Sequence, residues 1–221
     1  MTYALMGCGG KNSTLALDRA RRQKMDVAYL LTIYGGSPNR ARFHGTQRLL
    51  VEHHAGSLGL EPMAIRTSGN DLSSAFENKL TELGELGVRG VIFGDISLDS
   101  VRTWYEERVS AVGLEHVVPN WGALSIEIAW EVVERGYQAT VVSVNRADRT
   151  ATLLGREFDA DLVTEIGCMD SIDPSGERGE YHTFVFDGPA FSNPVEYSVG
   201  EEFEAEGHRV VELSVPTETN S

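Results

Sequence analysis

The sequence predicts an α/β protein with a doubly wound parallel sheet, followed by a smaller C-terminal α+β region. Short apolar runs of strand length alternate with amphipathic stretches of helix length through the first half of the chain. The first run, Tyr3 to Met6, leads into a glycine-rich turn that opens a helix, as parallel strands do in such sheets. Beyond Asp148, glycine turns multiply and residues 183–186 and 210–215 have strand character, which indicates the second region.

The predicted elements follow hydrophobic spacing along the chain. Short apolar runs predict buried strands at residues 3–6, 27–33, 63–65 and 91–93. Amphipathic spacing predicts helices at residues 13–23, 46–58, 72–86 and 98–112. We expect Asp71 to cap the third helix and Gly87 to end it. Farther along, the pattern predicts a helix at 125–135 and strands at 138–144, 183–186 and 210–215.

Composition restricts the function classes. The chain has 221 residues, of which 41% are hydrophobic, enough for one sizeable domain with a smaller region attached. A formal net charge of −14 argues against nucleic-acid binding, which needs clustered basic side chains. The sequence has no run of about 18 apolar residues, and its N-terminus lacks signal-peptide features. We therefore expect a cytoplasmic protein without a membrane span. The sequence leaves the oligomeric state open, with a homodimer as one alternative.

Two cysteines are present, Cys8 and Cys168. They are too few for a four-ligand zinc site, and a structural disulfide is not expected in this compartment. Cys8 precedes a predicted helix, where a thiol pKa can be lowered. We favour packing roles, with Cys168 buried.

The turn after the first strand has the features of an anion site. It reads Gly7-Cys8-Gly9-Gly10-Lys11-Asn12-Ser13. Glycines let backbone N–H groups approach phosphate oxygens, and a helix N-terminus favours negative charge. Lys11 adds an ammonium group, and Ser13 can cap the helix or contact a phosphate. The Walker pattern GxxxxGK[ST] is absent, and a plain strand-to-helix turn is the structural alternative.

A second cluster of polar residues runs from Asp173 to Thr183. Strand pleating from Gly179 would place Glu180 and His182 on one side and Tyr181 and Thr183 on the other. A glutamate and a histidine on one face could transfer protons or hold a cationic substrate. The alternative is an acidic turn that leads into an edge strand.

Together the two segments resemble the diphthine–ammonia ligases and their bacterial relatives, an adenine nucleotide α-hydrolase-like (HUP) group with a pyrophosphatase-type PP-loop. That loop is usually SGGKDS, so Cys8 and Asn12 depart from it. The C-terminal signature resembles DPCGExGEFHTFV followed by DGPxF, and stands here as DPSGERGEYHTFV from Asp173 and DGPAF from Asp187. Further matches are His44-Gly45, Phe93-Gly94-Asp95-Ile96 and Pro119-Asn120-Trp121-Gly122, where Asn120 replaces a usual leucine.

The resemblance implies that ATP adenylates a substrate carboxylate and ammonia then displaces AMP to leave an amide, as in diphthamide formation. It implies ATP binding by Cys8, Gly9, Gly10, Lys11, Asn12, Ser13, Gly94 and Asp95, with Asp95 also a candidate ligand of Mg²⁺. It implies catalysis by Glu177, Glu180 and His182, which would gather ammonium and take its proton. Substrate contacts are expected from His44, Trp121, Tyr181 and Thr183, where aromatic faces could hold a trimethylammonium group.

On this basis we predict a nucleotide-binding domain at residues 1–118, a substrate-binding region at 119–215 and a polar tail at 216–221. The carboxylate substrate stays open: a small molecule, a peptide or an elongation factor. Asn12 removes a charge that the usual aspartate carries, so an ATP-binding regulatory protein is an alternative. Another adenylating reaction, such as sulfur transfer to tRNA, fits less well, because the chain is acidic and lacks a catalytic cysteine pair.

Overall fold

The computed structural model describes residues 1–35, 39–42, 44–68, 71–146 and 150–216. Its first sheet has five parallel strands: β1 (Thr2–Met6), β2 (Asp26–Tyr34), β3 (Glu61–Arg66), β4 (Val88–Ile92) and β5 (Glu115–Val117). The helices between them are α1 (Lys11–Arg22), α2 (Arg48–Ser57), α3 (Leu72–Glu85) and α4 (Asp99–Ala111). The strand order is β3-β2-β1-β4-β5, so the direction of winding reverses between β1 and β4. The predicted doubly wound fold is confirmed.

Both faces of this sheet are covered, because successive side chains of a strand point to opposite faces. Leu5 of β1 packs in a core with Leu17 of α1 and Val51 of α2. The neighbouring Ala4 packs in the opposite core with residues of α3 and β4, among them Phe76.

The C-terminal region contains an antiparallel sheet. Its strands are β6 (Gln138–Asn145), β7 (Tyr181–Asp187), β8 (Ser198–Ala205) and β9 (His208–Ser214), in the order β7-β6-β9-β8. Helices α5 (Ser125–Glu134) and α6 (Ala160–Gly167) accompany it. Leu15 of α1 packs in the core of α5 and α6, and Leu50 of α2 packs beside Phe184. The division at residue 118 stays a prediction, because α1 and α2 contribute to the cores of both sheets.

Strands β5 and β8, helix α6 and a short 3₁₀ helix at Ala151–Leu153 were not predicted. Strand β5 is three residues long, β8 is almost wholly exposed and acidic, and α6 lies beyond Asp148, where only strands were predicted. Asp159 caps α6 by accepting a hydrogen bond from the Leu162 N–H at 2.8 Å.

Several details differ from the predictions. Asp71 occupies the N-cap position of α3, but its carboxylate accepts hydrogen bonds from the Ser68 N–H and hydroxyl, not from the helix. Cys168 is exposed, not buried.

No helix in the described ranges has both the length and the apolar character needed to cross a bilayer. Of the predicted polar tail, residues 217–221 lie outside the described residues.

Candidate active site

The glycine loop after β1 is attached to strand β7 of the second sheet. The Val185 N–H donates to the Gly9 carbonyl at 2.8 Å, and the Lys11 N–H donates to Thr183 Oγ1 at 3.1 Å. Gly9 has a φ of +97°, and a Cβ there would lie 2.8 Å from the Phe184 ring. Glycine suits this position because other residues rarely adopt that φ and their side chains would clash.

Helix α1 begins directly after this loop, with Gly10 as its N-cap residue. The helix therefore starts two residues earlier than predicted, and Ser13 lies inside its first turn. Ser13 Oγ donates to the Gly10 carbonyl at 2.9 Å, so it does not cap the helix N–H groups. Residues of this first turn line the cavity described below, where a helix N-terminus favours an anion.

The turn after β4 packs directly on the first turn of α1. A Cβ on Gly94 would lie 2.7 Å from Asn12 C and Ser13 N, so a larger residue would push the two segments apart. Asn120 bridges them: its Nδ2 donates to the Asn12 carbonyl at 2.9 Å and to the Gly94 carbonyl at 3.3 Å. Asp95 follows this contact at the carboxyl edge of the parallel sheet.

The acidic segment, residues 173–180 before β7, is held in place by the carboxylates of Asp173 and Glu180. Asp173 Oδ1 accepts hydrogen bonds from the N–H groups of Ser175 at 2.9 Å and Glu177 at 3.2 Å. Glu180 is buried, and its two oxygens accept from the Asp173 N–H at 2.8 Å and the Arg178 N–H at 3.1 Å. Both oxygens of Glu180 are therefore engaged by the backbone of this segment.

Ser175 joins the acidic segment to helix α1. Its carbonyl accepts hydrogen bonds from Lys11 Nζ at 2.6 Å and from Asn12 Nδ2 at 3.3 Å. The Lys11 ammonium also lies 4.5 Å from the centroid of the Tyr181 ring. Lys11 is thus anchored on the C-terminal region, a contact that the sequence did not indicate, and its role in ATP binding stays a prediction.

These segments enclose a cavity of about 180 Å³. It lies beside the reversal of strand order between β1 and β4, which is where doubly wound sheets bind ligands. Most of the predicted site residues line it: Cys8, Gly10, Lys11, Asn12, Ser13, His44, Gly94, Asp95, Glu177, Tyr181, His182 and Thr183.

Two carboxyl groups and one ammonium group in this cavity have shifted pKa values. Burial, with a further effect of Glu177, raises the pKa of Asp95 to about 7. Burial also raises the pKa of Glu177, although its Oε1 accepts hydrogen bonds from the N–H groups of Ile96 at 2.8 Å and Ser97 at 3.2 Å. Burial lowers the pKa of Lys11 to about 7, against the opposing effect of nearby carboxylates. The cavity can therefore gain or lose protons near neutral pH.

Two imidazoles form one wall of the cavity. The ring centroids of His44 and His182 are 4.3 Å apart, and His208 lies 5.3 Å from His182 on the other side. Burial, aided by the positive charge of Lys11, lowers the pKa of His44 to about 4. Burial and the two neighbouring histidines hold the pKa of His182 well below its usual value. Both rings are therefore neutral at pH 7, and a neutral imidazole can donate one hydrogen bond and accept another.

Two family models account for most of the chain. The model described as the diphthamide synthase N-terminal domain matches residues 1–116, and the one described as the diphthamide synthase C-terminal domain matches residues 125–213. The chain belongs to the diphthamide synthase family. The resemblance inferred from the glycine loop and the C-terminal signature is therefore confirmed. A comparison with curated proteins gives no match.

In this diphthamide synthase family member, three predicted site residues lie outside the cavity lining. The Trp121 ring packs against the Arg102 guanidinium, which lies 4.6 Å from the ring centroid, and its contact with substrate stays a prediction. Glu180 points into the acidic segment, whose amides occupy its carboxylate. Gly9 lies against β7. The predicted functional roles of these three residues stay predictions.

The sequence reasoning missed three residues that join the walls: Asn120, Ser175 and His208. Asn120 was noted only as a departure from the family pattern and Ser175 only as part of the C-terminal signature, because nothing in the sequence indicated their distant partners. His208 Nε2 lies 3.1 Å from the Gly179 carbonyl, beside the acidic segment. No local signal in the sequence marks His208, which lies in strand β9.

A second cavity of about 220 Å³ adjoins the first and shares Gly7, Cys8 and His44 with it. The rest of its lining is largely apolar or aromatic: Met6, Ile33, Leu72 and Tyr105, with Arg42. Burial raises the pKa of the Cys8 thiol to about 12, so Cys8 stays protonated and packs, as expected. A ligand that spans both cavities would have one polar end and one flat apolar end.

Proposed function

We propose that the protein is an ATP-dependent amide-forming ligase. It adenylates a substrate carboxylate with release of pyrophosphate, and ammonia then displaces AMP. The observation that carries this proposal is the cavity between β1 and β4. There the glycine loop of the first sheet meets Glu177, Tyr181 and His182 of the C-terminal region. This arrangement would bring a phosphate site and an acid–base site together in one cavity.

The phosphate end of ATP fits the glycine loop. The first turn of α1 offers backbone N–H groups and the positive end of the helix dipole. Lys11 supplies a cation once phosphate charge approaches, because a neighbouring anion favours the protonated ammonium. The adjoining apolar cavity suits the adenine ring, with Tyr105 as an aromatic surface.

Magnesium fits Asp95. Its Oδ2 is buried without a hydrogen-bond partner, and Asn12 Oδ1 is likewise unpartnered in the same lining. Among the described residues no three His, Cys, Asp or Glu side chains converge as a metal site. This donor set suits Mg²⁺, which is commonly held by one or two carboxylates, water and substrate phosphates. When bound, the ion would neutralise the charge that develops on the phosphates.

Glu177 is the group best placed to take a proton from ammonium. Its raised pKa makes it a better base near neutral pH than an ordinary carboxylate. Its Oε1 is held by two backbone N–H groups, which fixes the carboxylate against the cavity. The neutral His182 imidazole can accept a hydrogen bond from ammonia and orient it without repelling it. Glu180 supports this arrangement and does not contact the reactants.

The carboxylate substrate would enter beside His182 and Tyr181. The Tyr181 hydroxyl donates to the Pro174 carbonyl at 2.6 Å, and its ring is covered by the Lys11 ammonium. This ring is therefore already occupied as a cation site. We propose a carboxylate substrate without requiring a trimethylammonium group on it.

The experiment is nucleotide turnover with ATP, Mg²⁺ and ammonium, in the presence of a panel of candidate carboxylates, with AMP and ADP separated. We expect AMP that depends on one carboxylate, and an amide product only when ammonium is present. Glu177→Gln should keep ATP binding and lose amide formation. Glu107→Gln, which changes an exposed glutamate on α4, is the matched control. ADP as the product would contradict the proposal.

The second candidate is an ATP-binding regulatory protein. It is favoured by Asn12, whose amide is engaged by the Ser175 carbonyl and carries no charge toward a metal ion. Stoichiometric ATP binding without AMP formation across the whole panel would support it.

A further inference from the structure

Asn120 is completely buried in the connection between β5 and α5. Its Oδ1 accepts a hydrogen bond from Arg19 Nη1 at 3.2 Å. Because a guanidinium can only donate, this contact fixes which end of the amide is the oxygen. Its Nδ2 therefore presents both N–H groups to the carbonyls of Asn12 at 2.9 Å and Gly94 at 3.3 Å.

The two carbonyls belong to two different segments that line the cavity. Asn12 lies in the first turn of α1, and Gly94 lies in the turn that carries Asp95. Gly94 is already in contact with the α1 backbone, since a Cβ there would come within 2.7 Å of it. Asn120 thus ties together two segments that pack on one another and both line the cavity.

The orientation of Asn120 is set from outside the cavity. Arg19 also donates to the Pro119 carbonyl at 3.1 Å and pairs with Glu131 on α5. Glu131 pairs in turn with Arg135 at 2.6 Å. The amide therefore belongs to a polar network that links α1, α5 and the loop between β5 and α5.

We propose that Asn120 is a positioning residue that sets the spacing between the glycine loop and Asp95. With this spacing, the helix N-terminus and the Asp95 carboxyl group can engage the same Mg²⁺–triphosphate. The inference rests on the proposed nucleotide binding. A leucine, which the resembling signature usually has here, would fill a similar volume but would leave both carbonyls without this donor.

The test compares the affinity for MgATP by titration calorimetry with the melting temperature, for the native protein and four variants. Asn120→Leu removes the donors and the acceptor. Asn120→Asp keeps the shape and the acceptor but replaces the donors by oxygen. Arg19→Met keeps Asn120 but removes the donor that fixes the orientation of its amide. This variant provides the test if the Asn120 variants fail to fold. The control is Thr140→Val, which removes a hydrogen bond to the Tyr197 hydroxyl, 2.9 Å long, in the second sheet.

We expect both Asn120 variants to raise the Kd for MgATP at least about tenfold, because two hydrogen bonds between the walls are lost. Arg19→Met should give a smaller rise, and Thr140→Val should lower the melting temperature without changing the Kd. An Asn120 variant with a lower melting temperature but a Kd within about twofold of native would overturn the inference.

Failure of the proposed function is distinguishable from failure of this inference. If the native protein binds no MgATP, the proposed function fails. Hydrogen exchange of the ligand-free protein then decides the role of Asn120. Faster exchange in both Gly7–Ser13 and Gly94–Ser97 in Asn120→Leu would support a tie between the walls. Native rates in either segment would refute it.

Discussion

Glu180→Gln tests whether Glu180 holds the acidic segment or reacts with substrate. In the structure, one Glu180 oxygen accepts from the Asp173 N–H at 2.8 Å and the other from the Arg178 N–H at 3.1 Å. Glutamine keeps one acceptor but turns an NH₂ group toward the other N–H. Of the two charge-assisted hydrogen bonds, the variant therefore loses one and weakens the other to a neutral bond. Its NH₂ group would also face a backbone N–H group, so that two donors oppose one another.

The magnitude follows from these contacts. A hydrogen bond to a charged group contributes about 1.5–3 kcal/mol and a neutral one about 0.5–1.5 kcal/mol, so the loss should be about 2–4 kcal/mol. For a chain of 221 residues, that corresponds to a fall in melting temperature of roughly 5–15 °C. MgATP binding should persist, because Glu180 does not line the cavity.

The assay is thermal unfolding followed by circular dichroism, with AMP formation measured well below the transition. Glu107→Gln is the control, since a change at an exposed glutamate should alter stability by less than about 0.5 kcal/mol. The reasoning fails if Glu180→Gln melts within about 2 °C of native but forms no amide. That result would return Glu180 to a catalytic role.

Three further predictions concern the cavity. Gly94→Ala should weaken MgATP binding in calorimetry and lower the melting temperature, because its Cβ would lie 2.7 Å from the Asn12 backbone. The control is Gly84→Ala at a helical position, where a Cβ would meet nothing within 4 Å, so the change should be neutral or stabilising. In urea unfolding without nucleotide, stability from Asp95 should fall as pH rises from 3.8 to about 7, since its pKa is raised on folding. Stability should rise above pH 7 through Lys11, whose pKa is lowered from 10.5 to about 7. Asp95→Asn should remove the first slope and Lys11→Met the second. Asn12→Asp should lose about 1 kcal/mol, because its amide donor to the C-terminal region disappears, while lowering the Mg²⁺ concentration needed for half-maximal AMP formation.

The parallel sheet could be predicted because its strands and helices have strong local patterns. Strand β1 and the glycine loop are adjacent in sequence, so periodicity and the turn residues identify them together. Strand β8 was not predicted because it is an exposed edge strand whose acidic residues show no apolar alternation. Strand β5 escaped because three residues give too short a pattern.

The candidate site was harder to predict in detail than the fold. Motifs identified most of the residues that line the cavity, because these lie in two short segments. The interpretation of Glu180 depended on extending the strand pleat back to Gly179, whereas β7 begins at Tyr181. Asn120 could not be interpreted, since its partners Arg19 and Gly94 are distant in sequence and their contact depends on the packed fold.

The surroundings of Asn12 bear on whether the glycine loop after β1 has lost its function. A side chain without function would be expected to turn to solvent, whereas Asn12 donates its amide to Ser175 and keeps Oδ1 in the cavity. An aspartate in this conformation would place an oxygen against the Ser175 carbonyl, which already accepts from Lys11. An amide at this position is therefore matched to the C-terminal segment it contacts. The same amide leaves a neutral oxygen where a carboxylate would stand, so the proposed Mg²⁺ site would take its protein charge from Asp95.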